Sequence, residues 1–113
     1  MNCLFCKIIN KEIPAKIVYE DDTVLAFEDI NPQAPVHILV IPNKHIATSL
    51  DVTEDDHALM GQLLQTANKL ARERGVAEQG FRTVMNCNRD AGQTVFHIHL
   101  HLLAGRPMSW PPG

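Results

Sequence analysis

VFHIHLHLL, residues 95–103, sets three of the chain's six histidines at alternate positions of an apolar run. On a β-strand successive side chains point to opposite faces. His97, His99 and His101 would then share one face, and Phe96, Ile98, Leu100 and Leu102 the other. On a helix the middle histidine would point away from its neighbours. The stretch therefore reads as a strand, with an imidazole face and an apolar face that packs on a helix.

That helix is predicted over 53–74. Thr53 is a suitable N-cap, and Glu54, Asp55 and Asp56 sit favourably against the helix dipole. Leu59, Met60, Leu63, Leu64, Ala67, Leu70 and Ala71 recur at three- and four-residue steps as one apolar stripe. Arg72, Arg74 and Gly75 mark its end. KIVYE (16–20) and TVLAFED (23–29) read as a hairpin around Asp21-Asp22, although the turn lacks a glycine. INPQAP (30–35) is a loop, VHILVIP (36–42) a third strand and FRTVMNC (81–87) a fourth. CLFCKII (3–9) is too short for periodicity to separate helical turn from strand. Five strands and one long helix predict an α+β domain with a mostly antiparallel sheet.

The 113 residues suit one domain spanning 1–113, and a second copy would help it bury its core. A net charge of −3 without a basic run gives no support to nucleic-acid or membrane binding. Charged residues in the first dozen positions argue against a signal peptide, and no apolar run approaches the roughly 18 residues of a membrane span. Three cysteines, an odd number, favour a reducing, cytoplasmic setting over a disulfide framework.

The outer two histidines of a strand would lie roughly 13 Å apart at about 3.3 Å per residue, too far for one metal ion to gather all three. A neighbouring pair such as His97 and His99 could still hold a metal with help from elsewhere, as in a metal-dependent hydrolase. The row also suits an extended anion such as a phosphate, one imidazole attacking while its neighbours donate hydrogen bonds. AGQT (91–94) leads into it, and Gly92 would let backbone N–H groups approach an anion. Cys3-x-x-Cys6 is half of a zinc site by spacing, with a redox pair or two inert thiols as alternatives. Cys87 reads as packing and His57 as surface.

HIHLHLL, DINPQAPVHILVIP, NCNRDAGQTVFHIHLH and the terminal WPPG together resemble the histidine triad superfamily, in its nucleotide-binding, purine nucleoside phosphoramidase branch. The resemblance runs from about residue 3 to 113. It implies a homodimer whose two five-stranded sheets join into ten strands, with a short N-terminal helix in each copy. It also implies hydrolysis of purine nucleoside phosphoramidates and related AMP conjugates, with AMP- or GMP-type nucleotides bound. In that pattern His99 is the nucleophile and His101 holds phosphate oxygens, while His97, with His37 nearby, orients the site and supports proton transfer. Thr94 lies near the leaving group, with Gly92 and Gln93 along the phosphate and Asn86 at the sugar–phosphate end. Asp29 takes the ribose hydroxyls, and Ile30, Phe27, Phe5 and Ile8 enclose the base. The tail, residues 104–113 with Trp110, reaches toward the dimer partner. No cofactor is required for catalysis. Some superfamily members hold a structural zinc at positions that here are Cys3, Cys6, His45 and His97, which competes with the relay role of His97. A regulatory or scaffolding protein with slow hydrolysis and a dinucleoside polyphosphate hydrolase are the rival readings; the WPPG ending favours the phosphoramidase branch.

Overall fold

A computed structural model describes residues 2–113. Five strands, β1 (Ile17–Glu20), β2 (Val24–Glu28), β3 (Val36–Pro42), β4 (Phe81–Val84) and β5 (Leu100–Ala104), form one antiparallel sheet in the order β1-β2-β3-β5-β4. A long helix, α2 (His57–Glu73), covers one face, and a one-and-a-half-turn helix, α1 (Leu4–Ile9), stands over the other. Covering both faces explains why β2 and β3 read as unbroken apolar runs. Val24, Ala26, Ile38 and Val40 face α2, while Leu25, Phe27, Leu39 and Ile41 face α1.

Ile98, Leu100 and Leu102 join Leu63, Ala67, Leu70 and Ala71 in the α2-side core. Each fully buried large aliphatic contributes at most about 1.5–3 kcal/mol. Helix α2 ends in a Schellman motif: Val76 N–H bonds Ala71 O, Gly75 N–H bonds Arg72 O, and Gly75 takes φ +72. The β1–β2 turn manages without glycine because Asp21 Oδ1 accepts from Thr23 and Val24 N–H, at 2.8 and 2.9 Å.

Three boundaries differ from the sequence reading. The strand predicted over 95–103 begins only at Leu100, because residues 95–97 form a bend. Phe96 consequently leaves the apolar face and is 49% exposed. The fourth strand stops at Val84 rather than 87. At the helix start, residues Glu54–Asp56 form a separate 3-10 turn, in which Asp56 Oδ2 accepts from Thr53 N–H. The stripe also turns slightly: Leu64 is exposed, and Thr66 is buried instead. The chain after β5 is tied to its own domain, since Arg82 donates to Ser109 O and Arg106 to Gln33 O.

Candidate active site

Sheet register assembles the site. Leu39 lies opposite His101 and His37 opposite Leu103, so His37 and His101 are diagonal neighbours on the α1 face. Asp29 follows β2, and its N–H bonds the His37 carbonyl. The His99 and His101 rings lie 5.0 Å apart by centroids, and Phe5 of α1 stands edge-on to His99 at 5.1 Å.

The hydrogen bonds assign the tautomers. His99 Nδ1 is 2.8 Å from the His97 carbonyl, which can only accept, so Nδ1 carries the proton and Nε2 keeps a lone pair. Gln33 N–H donates to His37 Nδ1 at 3.0 Å, which puts the His37 proton on Nε2. That Nε2 stands 2.9 Å from His101 Nδ1 and 3.4 Å from Asp29 Oδ2. His101 therefore accepts at Nδ1 and carries its own N–H on Nε2. Burial holds all three imidazoles below their ordinary range, opposed at His37 by Asp29. His101 is pushed down to about 4 by burial, then by His99 and His37. At neutral pH the site thus offers a lone pair on His99 beside an N–H on His101, the pairing that phosphorus and its oxygens require.

Both rings line a cavity of about 310 Å3 with Phe5, Ile8, Phe27, Asp29 and Thr94, and Ile30, 97% exposed, sits at its rim. Leu4, Ile13, Pro14, Ala15, Leu39 and Val95 complete the walls. None of these six was singled out from the sequence. The Ile13–Ala15 connection carries no chemistry-bearing residue to mark it in the sequence.

Other expected residues are engaged elsewhere. Gln93 is buried as a staple: its Nε2 donates to Ala47 O and Val95 O, and its Oε1 accepts from Asn88 N–H. The Gly92 and Gln93 N–H groups bond Arg89 O and Asn88 O, so neither faces a phosphate; Gly92 serves the turn through its φ of +92. Asn86 is half-buried beyond β4 and does not line the cavity. His57 is exposed, and Cys87 is set apart with its thiol lowered chiefly by a hydrogen bond with Ser49.

His97 sits in one of the two settings expected of it, beside the cysteines and not in the relay. It is wholly buried; its Nε2–H donates to Pro42 O at 2.8 Å, and its Nδ1 faces Cys3 Sγ at 3.5 Å and Cys6 Sγ at 3.6 Å. Both ring nitrogens are engaged outside the cavity, and His37 lies beside His101 instead. A metal hydrolase built on a His97–His99 pair fails for the same reason, since the two rings present their nitrogens to different partners.

The four donors Cys3 Sγ, Cys6 Sγ, His45 Nδ1 and His97 Nδ1 all lie within 4.8 Å of one another. Cys6 Sγ to His45 Nδ1 is 3.4 Å, and the two Nδ1 atoms are 3.2 Å apart. A tetrahedral zinc with bonds near 2.3 Å to sulfur and 2.0–2.1 Å to nitrogen needs separations of about 3.5 Å and 3.3 Å. The bond from His97 to Pro42 O turns the Nδ1 lone pair into the cluster, as outer-shell partners of metal-bound histidines do. The residues fit zinc. Cys3 also caps α1, its sulfur accepting from Cys6 N–H, so the Cys-x-x-Cys spacing is a helix start.

Residues 10–108 match the HIT domain family. The chain is 57% identical to an uncharacterized HIT-like protein of Synechocystis sp., over 97% of this chain and 96% of that one. It is 53% identical to the purine nucleoside phosphoramidase of Escherichia coli, over 93% and 88% of the two chains. A HIT family hydrolase from Legionella pneumophila superposes with a TM-score of 0.98 at 59% identity, over 99% and 100%. This chain belongs to the HIT domain family.

Proposed function

We propose that this chain cleaves the P–N bond of purine nucleoside 5′-phosphoramidates and related AMP conjugates through a nucleotidyl-histidine intermediate. One observation carries the reading: the Nδ1–H of His99 is fixed on the His97 carbonyl, which leaves Nε2 as a lone pair in the cavity. The likeness to the E. coli phosphoramidase supports the same chemistry.

The base lies among Phe5, Ile8 and Phe27 with Ile30 at the rim, and Asp29 takes the ribose hydroxyls. His99 Nε2 attacks phosphorus, the P–N bond breaks and the amine leaves with a proton taken from solvent, which the later hydrolysis by water returns, Thr94 standing beside it. His101 donates its Nε2–H to a phosphoryl oxygen. Water then opens the P–Nε2 bond, which releases the nucleoside monophosphate and restores the imidazole. Zinc on Cys3, Cys6, His45 and His97 would be structural, tying α1 to the segment that leads into β5. Two copies join edge to edge into a ten-stranded sheet, which covers one of the two sheet edges of each copy.

Acid-quenched mass spectrometry with adenosine 5′-phosphoramidate should trap one nucleotidyl group on the wild-type chain and none on His99→Ala. Undiminished turnover by His99→Ala would overturn the covalent route.

A further inference from the structure

We propose that a recess beside the catalytic cavity receives an apolar, preferably aromatic, group carried by the leaving amine, making it a specificity subsite of the activity proposed above. Leu4, Thr94 and Val95 border both spaces, so the recess adjoins the cavity at Thr94, and Asn2, Cys3, His45 and Phe96 complete its lining. The cavity is apolar around Phe5, Ile8, Ile13 and Phe27, and polar where His99, His101 and Thr94 meet. A molecule with its base in the first part and phosphorus at His99 leaves the cavity past Thr94, and the recess is the next surface there.

Two observations indicate the occupant. Among the described residues no carboxylate lines the recess, so nothing there favours a cationic amine. Leu4 and Phe96 are each 49% exposed on its walls. Strand alternation would have buried Phe96 against α2; the bend at 95–97 turns it outward instead. The two side chains offer apolar surface that a ring on the leaving amine would cover.

The test compares kcat/KM for adenosine 5′-phosphoramidate and its N-benzyl derivative, in wild type and Phe96→Ala. The wild type should favour the benzyl compound roughly tenfold, and Phe96→Ala should remove most of that preference, with Phe96→Leu between them. Phe96 is half-exposed, so the variants should fold, and thermal melts verify it. Turnover of both compounds with the same ratio in wild type and Phe96→Ala overturns the recess alone. Turnover of neither overturns the parent activity as well. An unchanged ratio with a shifted emission from Trp110, the chain's one tryptophan, assigns the recess to the tail of a second copy and also overturns the proposal.

Discussion

His97 and His99 are two residues apart and face the same side of the chain, yet they are opposite tautomers. His97 gives its Nε2–H to Pro42 O and turns Nδ1 to two thiols and His45; His99 gives its Nδ1–H to the His97 carbonyl and keeps Nε2 for the cavity. In each case a backbone carbonyl chooses the protonated nitrogen, because a carbonyl can only accept. Equal spelling therefore yields unequal chemistry, one ring suited to a cation and the other to an electrophile.

The sharpest way to break this contrast is to exchange the losses. His99→Ala should reduce phosphoramidate turnover by at least about 10³-fold while the thermal midpoint changes little, since a nucleophile's removal is felt mainly in the transition state. His97→Ala should do the reverse in kind, with a large fall in midpoint and loss of bound zinc. Equal kinetic collapse in both, with both folds intact, would mean that the rings act as one unit.

Phe5 touches both rings, 5.9 Å from His97 and 5.1 Å from His99 by centroids, and is buried. Phe5→Ala should cost about 3–5 kcal/mol of stability and weaken nucleotide binding together. Calorimetry and nucleotide titration read the two effects; a stable variant with normal binding would uncouple α1 from the cavity.

Zinc separates the regions next. Protein expressed with zinc should carry one equivalent, and its removal by a chelator should lower the midpoint by about 10 °C, the effect of 2–3 kcal/mol in a domain this size. No stoichiometric zinc under those conditions would reduce the cluster to paired thiols and imidazoles.

The smallest effect is on pH. His101 titrates near 4 in the fold and His37 below its ordinary range, against about 6.5 for histidine in the unfolded chain. Below 6.5 the unfolded chain takes up protons that the folded one refuses, so stability is complete above that pH and declines as pH falls toward 4. Melts at pH 7, 5.5 and 4.5 should show it, and His101→Asn should flatten the decline.

Much of this was legible without coordinates. The period-two histidines, the stripe of α2 and the glycine stop at 75 are local patterns, and the α+β sheet followed from them. What stayed hidden depended on partners distant in sequence. The bend at 95–97 accompanies contacts of His97 with Cys3 and Cys6, more than 90 positions away, and with Pro42 O. The resemblance placed Gln93 along the phosphate; its partners in the fold include Ala47 O, supplied by the loop after β3. Leu64 left the stripe because the sheet meets α2 along a line set by Leu63, Ala67 and Leu70.

Composition and spacing alone determined that three imidazoles would share a face, since side-chain direction alternates with every residue of an extended chain. Only the tertiary structure decided what each does. A neutral imidazole has one proton and two nitrogens to choose between, and the choice rests on the carbonyl, amide or thiol that folding brings within hydrogen-bond reach.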